Sequence, residues 1–408
     1  MNQINPKSAL EIAKEKVNTE NPNLPMQLRF EVSAPEIIQQ LLTVTDLTLP
    51  TEAGKVRNIV GVIFDKVVDN LNKNGFQNIN VIRGDTKVSV SDNFDNLFFP
   101  AGNPGRSSTY TRYVDENNVL RTHVTSSVPN TLRNLKLEKK LADYYTWVFP
   151  GLAYRRDVID PRHLDVFHQI DVWTIQENAK FGITDRKDLL KLAKTVFEAA
   201  CPEAEMIVLE AKHPYTVNGI EVYAKIGDRE IEVLEAGLVH PDLIKLAGLN
   251  PEIHSGLALG MGIERLIMAR KNLPDIRLIR STNPRVISQM TNLEAFKLVS
   301  NQPAMNRDLS YCVDKNDSEE DICENIRKVF GEQADLLEEV KILSRTPYEK
   351  LETIAVQKLG AKINQDNILI RITLRHIDKT LTKSEAAILY DTAYPKLHQG
   401  STTGYKSI

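Results

Sequence analysis

What the 408 residues lack narrows the field first. There are three cysteines, Cys201, Cys312 and Cys323, too few for a disulfide framework and without the paired spacing of a structural zinc site. On this pattern no residue is assigned as a protein metal ligand. No apolar run reaches the roughly 20 residues needed to cross a bilayer, and the first 25 residues carry Glu11, Glu15 and Glu20 with no apolar signal core. No membrane partner and a cytoplasmic location are therefore the expectation. Neither sign of charge is in excess: 51 Lys and Arg against 54 Asp and Glu leave a net charge of -3, which argues against indiscriminate binding of polyanions but leaves room for a local basic face. Repeats and low-complexity tracts are missing too. What is there, 42% hydrophobic residues over this length, suffices for two or three domains with a sizeable core.

The order of elements predicts an α+β fold in two domains. Residues 1–55 form a mixed lead-in. From Arg57 to Asn72, apolar residues recur at helical spacing up to Gly75. "NINVIRG" and "VFHQIDVWTI" read as strands, the second placing Phe167, Gln169, Asp171 and Trp173 on one face. Thr184 or Asp185 caps the helix "DLLKLAKTVFEAA", and "EVYAKIGDREIEVLEAG" is a hairpin turning at Gly227-Asp228. After 290 come a strand "NRDLSYCV", a helix "SEEDICENIRKVF", a strand "NILIRITLRHID" and a helix opened by a Thr382/Glu385 capping box. This alternation predicts a small α+β sandwich over 291–408, behind a larger domain over 56–290.

"GLALGMGIERLIM", from Gly256 to Met268, joins glycines to an arginine at a helix start. A dinucleotide fingerprint needs another small residue where Arg265 stands, and a Walker loop needs Gly-Lys-Ser/Thr, so both phosphate loops are excluded. Glycines that let a nucleotide approach the backbone, with a guanidinium to stack or grip phosphate, remain one reading. A glycine-lined packing face of a helix is the other. "YRRDVIDPRHLDVFHQID" offers a partner: Arg155 and Asp157, two apart in an expected strand, share a face next to a loop with Arg162 and His163, a group suited to countering charge at an α-phosphate. A surface hairpin with salt bridges explains the same residues.

Together these two runs resemble motifs 2 and 3 of class II aminoacyl-tRNA synthetases, in particular the phenylalanyl-tRNA synthetase family. "NFDNLFFPAGNPGR", "LRTHVTSS" and "GLVHP" add to the likeness, and the segment from Pro303 to about Gln399 resembles the family's ferredoxin-like anticodon-binding domain. One chain carrying both parts is the single-chain, mitochondrial-type architecture. The resemblance implies a class II antiparallel sheet flanked by helices, ATP and Mg2+ as cofactors, tRNA and phenylalanine or a related amino acid as partners, and a chain that acts alone or as a homodimer. It implies Arg155 and Arg265 as catalytic grips on ATP. His163, Phe167, Gly260 and Gly262 complete the ATP site. His123, Gln169 and Asp171 hold the amino group, and His213, Tyr215, Glu235, Leu257, Ala258 and Leu259 line the amino-acid pocket. On "ILIRITLRHID", Ile368, Ile370, Ile372 and Leu374 face a core, while Arg371, Thr373 and Arg375 face outward, as a cationic strip for RNA phosphates.

The pocket departs from the family's pattern. His213 and Tyr215 stand where the family has two phenylalanines, and Leu257 and Leu259 replace phenylalanines around a retained small residue, Ala258. Asp171 is one methylene shorter than the usual glutamate. Glu235 replaces a glycine and must face solvent or meet a cation or hydroxyl, because a buried unpaired carboxylate is costly. Three functions are consistent with this: charging of tRNA-Phe with phenylalanine, activation of a different and more polar amino acid, and RNA binding without catalysis.

Overall fold

The computed structural model describes residues 28–137, 142–299 and 303–402. Its contacts group these into two units. The first comprises the described residues up to Arg155, Val166–Leu273 and Met290–Ala295. The second comprises Arg156–Asp165, Pro274–Gln289 and the described residues from Phe296 onward.

The strands of the first unit are β1 (Ile79–Val81), β2 (Lys87–Ser89), β3 (Asn118–Leu120), β4 (Tyr144–Tyr154), β5 (Val166–Glu177), β6 (Glu205–Ala211), β7 (Thr216–Ile226), β8 (Arg229–Val239) and β9 (His254–Gly262). Seven of them make one sheet in the order β1-β4-β5-β9-β8-β7-β6, antiparallel except where β1 joins β4, while β2 and β3 pair separately. The expected hairpin is there: β7 and β8 meet through Gly227 and Asp228, with Gly227 at φ 61°, a conformation cheap only for glycine.

Helix α1 (Ile59–Lys73) begins where the Asn58 side chain accepts from the Val60 amide, and its apolar stripe Ile59, Val60, Ile63, Val67 and Leu71 is buried. Helix α2 (Val128–Leu137) covers part of the opposite sheet face, together with the short helix Pro241–Leu246. Helix α3 (Arg186–Ala200) packs on α1 and on β8 and β9. Asp185 caps it in a reciprocal box with Asp188, worth about 1 kcal/mol. Helix α4 (Glu264–Lys271) follows β9 directly. Its burial is not confined to one apolar stripe: Glu264, Leu266, Ile267, Ala269 and Lys271 are all buried. The buried Lys271 ammonium is accommodated by the carbonyls of Asn292 and Glu294.

In the second unit β10 (Met305–Asp314), β11 (Leu337–Pro347) and β12 (Gln365–Leu374) form an antiparallel sheet in the order β10-β12-β11. Helices α5 (Glu319–Phe330) and α6 (Lys383–Leu397) bury one face against Ile368, Ile370, Ile372 and Leu374, and the Thr382/Glu385 capping box is formed. This is an α+β sandwich with three sheet strands among the described residues.

Candidate functional site

Period two, not 3.6, governs the glycine-rich stretch. Gly256, Ala258, Gly260 and Gly262 alternate onto one face of β9, and Leu257, Leu259 and Met261 onto the other. Leu257 and Leu259 are therefore corrected as pocket residues: both are buried on the face opposite Gln169 and Asp171. The glycines belong to a strand and not to a helix's packing face. They lay a floor of nearly bare backbone between β5 and β8.

Register builds the site across that floor. Asp171 on β5 is opposite Gly260, which is opposite Glu235 on β8, which is opposite Glu221 on β7. Directly opposed residues of antiparallel strands project to the same side, so these three carboxylates share one face. One row along, Gln169 is opposite Gly262, whose missing side chain leaves open space. A Cβ on Gly260 would sit 3.1 Å from Asp171 Oδ1, so the floor has no room for even alanine without displacing that carboxylate. In the other direction Trp173 is opposite Trp147 and Ala258. There α2 closes the face with Phe149 and the partly buried Tyr215, whose ring stacks on Trp173 at 5.8 Å. Ala258 is 1% exposed within this aromatic cluster, so indole and phenol rings occupy the neighbourhood expected to admit a substrate ring.

Asp171 is 2% exposed and accepts a 2.6 Å hydrogen bond from the Thr125 hydroxyl. Burial pushes its carboxyl up to about 7, with the charge of Glu235 adding to the rise and the Thr125 bond opposing it. Gln169 accepts from the Val124 amide at 3.3 Å. His123 stacks on Phe99, and burial and then Arg155 lower its imidazole to about 3, so it is neutral at physiological pH. Around Glu235 the negative groups gather. A β-bulge in β8 brings Glu232 opposite Tyr223 and onto the same face as Glu221. Burial, then its carboxylate neighbours, raise Glu232, while Arg265 and Arg155 lower it. Glu235 is raised by burial and by Glu221. Its side chain is 41% exposed and lies 3.4 Å from His213 Nε2, so it both faces solvent and meets a nitrogen.

The two arginines take different positions. Arg155 is not in a strand with Asp157, because β4 ends at Tyr154; Asp157 instead accepts from the Val158 amide in the second unit. Arg155 donates to the Thr122 carbonyl and lies over the Phe167 ring at 5.1 Å. The ring of Phe167, expected in the ATP site, thus carries a guanidinium here. Arg265, the second residue of α4, is exposed and makes no hydrogen bond or ion pair among the described residues. His163 lies in the second unit, where Nδ1 meets Asp160 at 2.8 Å.

Sequence reasoning missed the group that fixes α4. Glu264, 2% exposed, accepts from the His168 amide through both oxygens and from His168 Nδ1 at 2.5 Å, while His168 Nε2 accepts from the Leu47 amide. Those two bonds set the tautomer with the proton on Nδ1. The signal was the alternation of β5, which sends His168 to the face opposite Gln169. Glu221 and Glu232 were missed as well, the latter because a bulge cannot be read from alternation.

In the second unit Arg371 and Arg375 do not form an unmatched cationic strip. Arg371 makes two bonds to Asp308 across β10 and β12, and Arg375, one residue past β12, pairs with Glu338. Thr373 is 7% exposed and does not face outward into solvent.

Comparison with known proteins identifies the family. Residues 45–290 match the family model described as tRNA synthetases class II core domain (F). A phenylalanine–tRNA ligase alpha subunit of Nostoc punctiforme is 32% identical over 267 residues, covering 64% of this chain and 76% of that protein. A chloroplastic/mitochondrial phenylalanine–tRNA ligase of Arabidopsis thaliana is 28% identical over 312 residues, 73% of this chain and 66% of its own length. A solved pyrrolysyl tRNA synthetase from Desulfitobacterium hafniense aligns over 60% of this chain and 76% of its own at 20% identity with a TM-score of 0.42, too loose a likeness to bear on the fold. With well over half its length matched by that model, the chain belongs to the class II tRNA synthetase core domain (F) family and is a ligase of that class.

Proposed function

We propose that this chain activates phenylalanine with ATP and transfers it from the adenylate to the terminal ribose of tRNA-Phe. One observation carries the site assignment: a bare floor, Gly260 and Gly262, runs between Asp171 and Gln169 on one side and, at its end, the exposed guanidinium of Arg265, which makes no ion pair among the described residues. Its relatives' names supply the amino acid. Attack of a carboxylate on the α-phosphorus asks mainly for alignment and for cations where charge builds. Arg155 and Arg265 serve there, and Asp171, once ionised, and Gln169 hold the ammonium group. Glu232, a carboxylate that the β8 bulge brings onto the site face, is an oxygen donor of the kind magnesium takes and would hold it there; when bound it would counter phosphate charge. The second unit would meet tRNA through its uncovered sheet face, as an anticodon-binding domain of the ferredoxin-like type, and the protein would work in the cytoplasm as a monomer or homodimer.

A second reading, a different and more polar amino acid, is favoured by the aromatic filling around Ala258 and by His213 and Glu235. Pyrophosphate exchange across an amino-acid panel, with and without tRNA, separates the two. Exchange with phenylalanine supports the first, exchange with another amino acid alone supports the second, and exchange with none sinks both.

A further inference from the structure

At the β7–β8 edge of the site face, three potential donors converge: one ligand atom each from His213, Glu221 and Glu235 lies within 4.8 Å of the others. Two of them are fixed by the sheet, since Glu221 and Glu235 are directly opposed cross-strand partners. Like charges placed this way destabilise a sheet unless something neutralises them.

His213 provides the second, independent observation. Its side chain is 9% exposed, yet Nε2 has no properly directed hydrogen bond and points toward the acids, 3.4 Å from Glu235. The other nitrogen, Nδ1, is 3.4 Å from the Thr216 hydroxyl, and a Cβ on Gly219 would come within 2.7 Å of it. The ring is thus seated by a glycine and approached at Nδ1 by Thr216, with the buried Nε2 presented to the acids, the arrangement in which a histidine acts as a metal ligand held from behind. Tyr223 donates to Glu221 at 3.0 Å, orienting one of the two carboxylates.

We propose that His213, Glu221 and Glu235 bind a divalent transition-metal ion of the zinc class, apart from any magnesium carried with ATP. One imidazole nitrogen and two carboxylate oxygens are the borderline donor set that zinc accepts, whereas magnesium prefers oxygen alone. Three protein ligands leave the remaining positions to water or to a substrate atom, and the half-exposed Glu235 keeps that side reachable. The ion turns an acidic edge of the amino-acid site into a cationic one without moving a strand.

The test uses the full chain, freed of metal by a chelator and titrated with Zn2+ without ATP, amino acid or tRNA. One equivalent is expected to bind with Kd of about 1 µM or tighter. The variants Glu235→Gln, Glu221→Gln and His213→Ala should each weaken it by about 100-fold. Substituting Co2+ gives the visible bands of four- or five-coordination with no sulfur-to-metal charge-transfer band, and this wild-type measurement stands even if a variant folds poorly. Failure to bind at micromolar Zn2+, binding unchanged in all three variants, or a thiolate charge-transfer band from one of the cysteines each overturns the proposal.

Discussion

Replacing Asp171 by asparagine should stabilise the first unit above neutral pH while weakening the grip on the substrate's ammonium group. The carboxyl ionises near 7 in the folded chain against 3.8 as its ordinary value. A raised carboxyl binds a proton in the folded state that the unfolded chain has already released. Its contribution to stability is therefore full below about pH 4 and is lost as pH rises through 7. A shift of about three units corresponds to about 4 kcal/mol in full, and more than half, about 2.6 kcal/mol, is lost between about pH 5 and pH 8. Asparagine has nothing to ionise, and Thr125 can reverse its hydroxyl to serve the amide. Urea unfolding of both proteins at the two pH values measures this. The chain's two tryptophans, Trp147 and Trp173, lie in β4 and β5, so their fluorescence reports on the unit that holds Asp171. A constant packing cost of the amide cancels in the comparison. If the stability difference between variant and wild type is the same at both pH values, the buried-carboxyl argument is wrong.

Arg265→Ala should reduce pyrophosphate exchange by about 10²- to 10³-fold with an unchanged melting temperature, since the side chain is exposed; retained exchange rejects its role. Glu264→Ala removes the acceptor of both His168 groups and should cost about 3 kcal/mol in urea unfolding, as a buried hydrogen-bonded charge does when its network is broken; a loss under 1 kcal/mol would show that water replaces it. Arg371→Ala should raise the KM for tRNA several-fold and flatten its salt dependence by about one counterion. An unchanged salt slope would mean that Asp308 keeps Arg371 from nucleic acid.

Much of this was legible in the sequence because local periodicity and side-chain capping act over a few residues. The α1 stripe, the Gly227-Asp228 turn, the Asp185 and Thr382 caps and the apolar face of β12 follow from such short-range rules. The α+β fold and the shared face of Gln169, Asp171 and Trp173 followed as well. Long-range choices were harder. Alternation could have separated Leu257 and Leu259 from Ala258, but the glycines suggested a helix start and masked it. The end of β4 at Tyr154 removed the strand on which Arg155 and Asp157 were expected to share a face. The carboxylates matching Arg371 and Arg375 lie on other strands, at a register that no single strand announces.

The bare backbone under the site also limits how its chemistry can change over time. A floor without side chains has little to vary: a new Cβ at Gly260 crowds Asp171 at 3.1 Å, so a change there costs a shift of that carboxylate. Variation is pushed to the rims, to the loop of His213 and to β7 and β8, where Glu235 and Tyr215 already differ from the family's pattern. A library aimed at new amino-acid selectivity would accordingly hold β9 constant and randomise those rims, leaving the nucleotide end untouched.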